Sequence, residues 1–229
     1  MQITVIGLGR FGSALAEALI ERGHEVVVID KEERLVQRFV GKTDTAIVAD
    51  ATDDTVLRSI GVQDMDAVVV AIGDDIEASV LVCISLMDMG ARNIIAKAED
   101  ERHARILNRI GVSRIVQPER DSALHVADII SYPTLADRFN ISEKHAIVEI
   151  KAPRSFVGKR IRDLDLRRRY NVLVIGIRRK EAVFDRQGEI EDLREVFLAP
   201  PDPDEDIMDG DVLVLLAPNE VIDEIARWE

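Results

Sequence analysis

The stretch Val5-Ile6-Gly7-Leu8-Gly9-Arg10-Phe11-Gly12 decides the fold of this chain. An apolar run, residues 3–6, overlaps its start, and a helical pattern of apolar residues follows its three glycines. A Gly-x-Gly-x-x-Gly between a strand and a helix is the fingerprint of a dinucleotide-binding fold. Gly7 permits the tight turn, Gly9 lets the backbone approach a pyrophosphate, and Gly12 lets helix and strand pack closely. We expect the free amides at the start of the helix to face the phosphates.

Two charged positions near the glycines sharpen this expectation. A second apolar run, residues 25–29, ends at Asp30, where a carboxylate accepts hydrogen bonds from ribose hydroxyls, and Lys31 follows it. Arg10 is a cation inside the glycine fingerprint. Whether Arg10 serves a reaction or only recognises a bound ligand distinguishes an enzyme from a ligand sensor.

The composition excludes several classes of protein. A chain of 229 residues has room for one large domain or, as we expect here, two smaller ones. The formal charge of −13 argues against a nucleic-acid partner, which needs a positive surface. The single cysteine, Cys83, lies in an apolar segment, which fits a buried thiol and a reducing cytoplasm. No apolar stretch approaches the roughly 20 residues that span a bilayer, and no signal peptide precedes the first strand. We therefore expect a soluble, cytoplasmic protein, for which any association with a membrane must come through a partner.

The first half of the chain alternates strands and helices. The predicted strands are residues 3–6, 26–29, 45–48, 67–72, 93–96 and 114–116, and the predicted helices between them are residues 10–22, 32–40, 53–60, 76–89 and 101–110. This alternation indicates βαβ units and a parallel sheet. The strands are nearly unbroken apolar runs, as expected where helices cover both faces. The fold class predicted is a Rossmann-like doubly wound α/β domain followed by a small α+β domain.

The domain organisation predicted is a nucleotide-binding domain over residues 1–120, a helical linker over residues 121–142 and a C-terminal domain over residues 143–229. Pro133 interrupts the helical pattern of the linker and predicts two helices with a bend. The wide apolar face of the linker suggests packing against another subunit. In the C-terminal domain we expect strands at residues 145–151, 172–177 and 211–216, a short helical connection at 158–166, a rigid acidic loop at 199–206 and a closing helix at 221–228.

Ligands of an open parallel sheet bind outside the carboxyl ends of its strands. Two of the groups there leave alternatives open. Asp50 and Thr52 either contact the ligand or, as favoured from these residues alone, cap the following helix; Lys97 forms a salt bridge with Glu99 or Asp50, or contacts a phosphate. The candidate binding residues, including one reached through the resemblance described below, are Gly7, Gly9, Arg10, Phe11, Gly12, Asp30, Lys31, Asp50, Ala51, Thr52, Ala71, Ile72, Gly73, Lys97 and Glu119.

The sequence offers few combinations of residues that could carry out catalysis. A dehydrogenase needs a proton donor beside the nicotinamide, and the four histidines share no common setting. His125 and Asp128 lie one helical turn apart, which favours a local surface pair. No Cys/His cluster has the spacing of metal ligands. The sequence favours a protein that is not an enzyme, with a small NAD-dependent oxidoreductase and a stand-alone NAD(H)-binding regulator as alternatives.

Several motifs in order resemble the regulator-of-potassium-conductance family, which supplies the cytoplasmic gating subunits of Ktr and Trk potassium uptake systems. The resemblance covers both halves of the chain. The motifs that carry it are residues 5–12, Asp50-Ala51-Thr52, Val70-Ala71-Ile72-Gly73, Ala96-Lys97-Ala98, Pro118-Glu119-Arg120-Asp121, Phe156-Val157-Gly158-Lys159, residues 163–166 and residues 210–214.

The resemblance implies a ligand and an assembly. Members bind ATP, ADP or NAD(H), and dimers assemble into octameric rings beneath a membrane-embedded potassium-translocating subunit. Arg10-Phe11 in place of small residues, and one tandem pair of domains, favour ATP/ADP over NAD(H) for this chain. Some single-pair members also bind cyclic di-AMP between C-terminal domains, in the region of Arg168 and Asn171.

The resemblance also implies residue roles. The glycine loop holds the phosphates, Asp30 holds the ribose, Thr52 lies along the nucleotide and residues 71–73 flank the base. Arg10 reaches a terminal phosphate across the dimer interface, and Glu119 helps to hold a divalent cation, Mg²⁺ or Ca²⁺, near the γ-phosphate. A guanidinium binds an added phosphate through paired, charge-assisted hydrogen bonds. Arg10 is therefore suited to distinguishing nucleotides by their number of phosphates.

Overall fold

The computed structural model describes residues 1–43, 45–131, 135–184 and 190–228. The chain forms two compact units, Met1–Asp121 and Ser122–Glu229. A helix, Pro118–Ser131, runs through the division between them. The three-part division at residues 120 and 142 stays a prediction.

The first unit contains a six-stranded parallel sheet in the order β3-β2-β1-β4-β5-β6. Its strands are β1 Gln2–Ile6, β2 Glu25–Asp30, β3 Thr45–Val48, β4 Ala67–Val70, β5 Ile94–Lys97 and β6 Arg114–Val116. The α-helices of this unit are α1 Arg10–Glu21, α2 Glu33–Val36, α3 Asp54–Ser59, α4 Ile76–Asp88 and α5 Glu101–Ile110, and helix α6, Pro118–Ser131, begins in this unit and ends in the second. The order reverses between β1 and β4, as in a Rossmann fold, so the predicted doubly wound sheet is confirmed.

The apolar runs of the strands reflect burial on both faces of this sheet. Val5 is fully buried and belongs to one core cluster, with Val28 and Phe39. The next residue, Ile6, is equally buried but belongs to another cluster, with Ile29. Because successive side chains of a strand point to opposite faces, an unbroken apolar run is what a sheet covered on both faces requires.

The second unit contains a five-stranded antiparallel sheet in the order β10-β9-β11-β8-β7. Its strands are β7 Leu135–Asn140, β8 His145–Lys151, β9 Leu173–Phe184, β10 Ile190–Leu198 and β11 Val212–Pro218, with short helices α7 Leu166–Tyr170 and α8 Ile222–Ile225. The antiparallel sheet with its short helices confirms the predicted second, α+β domain.

Four details of the predicted elements were wrong. The second helix expected after Pro133, a residue outside the described ranges, is strand β7, which pairs antiparallel with β8. The apolar residues Leu135 and Phe139 are four apart, which imitates a helix, but the edge of the sheet supplies backbone partners that override this pattern. Strand β9 is longer than predicted and β10 was missed, because their charged residues conceal the alternation. The closing helix α8 has only four residues, after a 3₁₀ turn at Asn219–Val221.

A buried ion pair fastens the acidic loop before β11 to strand β9. The Arg179 guanidinium donates to both carboxylate oxygens of Asp211, at 2.9 and 2.8 Å, and to Glu205 Oε1 at 2.7 Å. It also donates to the Asp206 carbonyl oxygen. Arg179 is 9% and Asp211 is 1% exposed at the side chain, and the hydrogen bond from the guanidinium to Asp211 raises the pKa of Arg179.

We expect Arg179→Met to reduce the free energy of unfolding of the second unit by about 3 kcal/mol or more, because it leaves the Asp211 carboxylate buried without its counter-ion. The matched control is Arg162→Met, whose guanidinium is half exposed and pairs with Asp204 at 2.8 Å. That control should cost less than about 1 kcal/mol. Urea unfolding followed by the fluorescence of Trp228, the single tryptophan of the chain, measures both. Equal losses in the two variants would contradict the prediction.

Candidate nucleotide-binding site

The glycine loop joins β1 to α1 with geometry that only glycine provides at two of its positions. Gly7 has a φ of +91°, and its amide donates to the Ile29 carbonyl oxygen at 2.8 Å. A Cβ on Gly12 would lie 1.9 Å from the Gly7 carbonyl oxygen, so α1 packs directly on the backbone of the loop. Gly9, the N-cap residue of α1, has an ordinary φ of −61° and open space where a Cβ would point. No side chain caps the first turn of α1, which leaves its amides available to an anion.

Asp30, at the end of β2, braces the loop. Its Oδ2 accepts a hydrogen bond from the Leu8 amide at 2.6 Å, and its Oδ1 accepts one from the Glu32 amide at 2.8 Å. The carboxylate is therefore held at the carboxyl edge of the sheet by the backbone on both sides. Carboxylate oxygens have several lone-pair directions, so Asp30 retains acceptor capacity for hydroxyl groups.

A pocket of about 390 Å³ opens at this carboxyl edge. The predicted residues that line it are Gly7, Gly9, Asp30, Lys31, Asp50, Ala51, Thr52, Ala71, Ile72 and Gly73. Leu35 of α2 and Leu81 of α4 also line it and were missed, although each lies within the first turns of a helix that follows a predicted site strand. The pocket has the place and size of a nucleotide site in an open parallel sheet.

Five predicted site residues lie outside the lining of this pocket: Arg10, Phe11, Gly12, Lys97 and Glu119. Gly12 is buried beneath the loop, whereas Arg10 is exposed as the first residue of α1. Ligand binding stays a prediction for these five residues and for the ten that line the pocket.

Asp50 and Thr52 form a local turn at the rim of the pocket. Asp50 Oδ1 accepts from the Thr52 amide at 2.9 Å and from the Thr52 hydroxyl at 2.7 Å. These two hydrogen bonds lower the pKa of Asp50. The expectation that this pair caps the next helix was wrong, because Asp53 is the cap of α3 and accepts from the Thr55 amide.

Lys97 ends β5 in a cluster of charges beside Gly73. Its Nζ lies 2.8 Å from Glu119 Oε1 and 3.8 Å from Glu99 Oε2. The predicted salt bridge is thus present, with Glu99 and Glu119 rather than Asp50. The hydrogen bond from Lys97 is the main cause of a lowered pKa at Glu119; the Glu119 amide and the charges of Lys97 and Arg10 add to it.

The carboxylate of Glu119 is a suitable but incomplete ligand for a divalent cation. Among the described residues, no group of three or more His, Cys, Asp or Glu side chains is placed to hold a metal ion. Mg²⁺ is commonly bound by one or two carboxylates together with the phosphates of a ligand. A single carboxylate such as that of Glu119 therefore suits a cation only where phosphate oxygens supply other ligands.

The imidazole of His103 and the thiol of Cys83 are side chains that could in principle serve catalysis, but both are buried in the fold. His103 of α5 is buried, its Nδ1 accepts from the Glu99 amide at 3.2 Å, and burial lowers its pKa. Cys83 is buried in the core, which raises its pKa to about 12 and leaves the thiol protonated.

The glycine loop, the Asp30 carboxylate and the pocket at the switch of strand order define a Rossmann-type fold with a candidate nucleotide-binding site. The TrkA-N domain model matches residues 3–118, and the TrkA-C domain model matches residues 145–228. The chain belongs to the TrkA-related family of potassium uptake proteins.

Two relatives from Bacillus subtilis (strain 168) support this assignment. The chain is 38% identical to Ktr system potassium uptake protein C over 80% of its own length and 82% of that protein. It is 32% identical to Ktr system potassium uptake protein A over 100% of its own length and 95% of that protein. Both relatives are named as potassium uptake proteins.

Solved structures share the fold at low identity. The GsuK RCK domain aligns with a TM-score of 0.64 and 17% identity over 99% of this chain. The GsuK channel aligns with a TM-score of 0.66 and 18% identity. The chain spans 47% and 39% of those two chains. Within its own described ranges, none of the helices combines the length and apolar character needed to cross a bilayer.

We expect two glycine variants to separate folding from ligand binding. Gly12→Ala forces a Cβ onto the Gly7 carbonyl oxygen, which should reduce the free energy of unfolding of the first unit by at least about 2 kcal/mol. Gly9→Ala should leave stability unchanged, because its backbone suits alanine and its Cβ meets open space. The Gly9 variant should instead weaken ATP binding about tenfold, because the added methyl group stands where the pyrophosphate approaches the backbone and so weakens its charge-assisted hydrogen bond.

Circular dichroism at 222 nm measures the stability of each glycine variant, and calorimetric titration measures ATP affinity. If Gly9→Ala unfolds the protein, or binds ATP as tightly as the natural chain, the assignment of Gly9 to the ligand is wrong.

Proposed function

We propose that this protein is a non-catalytic nucleotide sensor that controls a potassium uptake system, with ATP and ADP competing for the pocket of the first unit. The observation that carries the proposal is the arrangement of Arg10. It is an exposed guanidinium on the first residue of α1, beside the uncapped amides that suit phosphates. A sensor needs such a group, because a ligand shifts an equilibrium only by its different affinity for two states.

Arg10 distinguishes ATP from ADP in this proposal. The glycine loop and Asp30 hold the parts that the two nucleotides share. Arg10 of one subunit reaches the terminal phosphate of ATP bound to a neighbouring subunit, where ADP offers no partner. A guanidinium–phosphate contact contributes about 1.5–3 kcal/mol, which corresponds to roughly a tenfold to hundredfold preference.

The proposal includes a divalent cation, Mg²⁺ or Ca²⁺, at Glu119. The ion would neutralise phosphate charge and would be held by phosphate oxygens together with this carboxylate. Glu119 suits this role because it remains ionised and is 65% exposed at the side chain.

The assembly proposed is a homo-oligomer, with dimers forming an octameric ring that meets a membrane-embedded potassium-translocating subunit at the cytoplasmic face. Helix α6 supports contact between copies: its exposed apolar residues are Leu124, Val126, Ile129 and Ile130. The relatives named as Ktr system proteins support the potassium role. We propose no nucleic-acid partner, given the charge of −13.

NAD(H) is the second candidate for the pocket. The glycine fingerprint and Asp30 suit a dinucleotide as well as ATP, and one structure that shares the fold is described as the GsuK channel bound to NAD. In this candidate the protein is a stand-alone regulator or a small oxidoreductase. Cyclic di-AMP near Arg168 and Asn171 stays a prediction for the second unit.

We expect Arg10→Ala to weaken ATP binding about tenfold or more and to leave ADP binding within about twofold, because only ATP carries the phosphate that Arg10 contacts. Calorimetric titration of the full chain with ATP, ADP, NAD⁺ and NADH measures these affinities. The matched control is Arg22→Ala, at the opposite end of the same helix, where the guanidinium donates to the Ala18 carbonyl oxygen.

The sensor mechanism fails if NADH binds most tightly and Arg10→Ala leaves ATP binding unchanged. Light scattering of the natural chain adds an independent check, since a ring-sized mass supports the assembly and a monomer counts against it.

A further inference from the structure

The ammonium group of Lys97 lies close enough to two carboxylates to pair with either of them. Lys97 is 9% exposed, and its Nζ lies 2.8 Å from Glu119 and 3.8 Å from Glu99. The second carboxylate is thus only about 1 Å farther away than the first. Both carboxylates are much more exposed than the lysine, at 65% for Glu119 and 48% for Glu99.

This difference in burial determines which of the charged groups can be left without an ion-pair partner. A carboxylate in water is well solvated, whereas a nearly buried ammonium needs a negative partner. Glu119 can therefore lose Lys97 at little cost if Lys97 moves to Glu99. A move to Glu99 keeps the buried charge paired throughout.

Gly73 leaves room for this movement. A Cβ at residue 73 would lie 2.9 Å from Lys97 Nζ and 3.0 Å from Glu99 Oε2. The space that the glycine leaves therefore adjoins both the ammonium and its second partner. Gly73 also lines the nucleotide pocket, which brings the exchange next to the ligand.

We propose that Lys97 is an internal counter-ion that holds Glu119 when no divalent cation is present and passes to Glu99 when a cation arrives with the nucleotide. Lys97 and the cation then compete for the carboxylate of Glu119. Without the cation, the ion pair between Lys97 and Glu119 stabilises the protein. This inference rests on the proposed cation at Glu119 and adds its regulation. Lys97 acts as a positioning residue, through Glu119.

The competition predicts effects of opposite sign for two variants. Lys97→Met removes the competitor and places an apolar side chain of similar length in a buried position, so the affinity for Mg²⁺ or Ca²⁺ with ATP bound should rise about tenfold. Glu99→Gln removes the alternative partner, so Lys97 stays on Glu119 and the affinity for the cation with ATP bound should fall severalfold. A purely structural role of Lys97 would not produce this reversal.

The experiment is a titration of the full chain with MgCl₂ and with CaCl₂, at saturating ADP and at saturating ATP, followed by melting temperature and by calorimetry. The matched control is Lys42→Met, which removes an exposed lysine paired with Glu17 at 2.9 Å in the same unit. It should leave the cation response unchanged. Glu119→Gln should abolish the response in every background.

The inference is overturned if Lys97→Met leaves cation affinity unchanged or lowers it, or if Glu99→Gln raises it. It is equally overturned if the natural chain and Lys97→Met both show no response to the cations. Nucleotide affinity measured without a cation tests the nucleotide sensor separately, so a failure of the exchange is distinguishable from a failure of nucleotide binding.

Discussion

The packing of α1 on the backbone of the glycine loop is the constraint on which the nucleotide site depends. With no side chain at residue 12, the helix approaches the Gly7 carbonyl oxygen closely enough to fix where its first amides lie. Those amides, and Arg10 beside them, provide positive potential at one edge of a chain whose formal charge is −13. An acidic protein thus offers a phosphate a local site without a basic surface.

The sequence predicted the place of a residue correctly where the local backbone geometry allows only one type of residue at that position. Gly7, Gly12 and Asp30 could be placed because a turn, a close approach and a strand end each demand one type of residue. Glu99, two residues from Lys97, could be predicted as a salt-bridge partner, whereas Glu119 was missed because it is 22 residues away and meets Lys97 only through the fold. Likewise, β7 imitated a helix because its apolar spacing suits both periods, and only pairing with β8 distinguishes them.

Buried ionic groups have different consequences in the two units. Arg179 has every partner it needs in Asp211, Glu205 and the Asp206 carbonyl oxygen, and both members of its main pair are buried. Movement there would expose unpaired charge, so this pair favours a single conformation. Lys97, in contrast, has partners that water solvates readily. The same chemistry therefore stabilises one arrangement in the second unit and permits two in the first.

The two hydrogen bonds of Asp30 connect segments that a ligand touches at different places. One carboxylate holds the loop after β1 through Leu8 and the segment after β2 through Glu32. A sugar hydroxyl that binds Asp30 therefore engages the same group that fixes the phosphate loop. In the proposed complex, one mechanically connected element would bind both the sugar and the phosphates of a nucleotide, so that neither segment could shift without disturbing the contacts of the other.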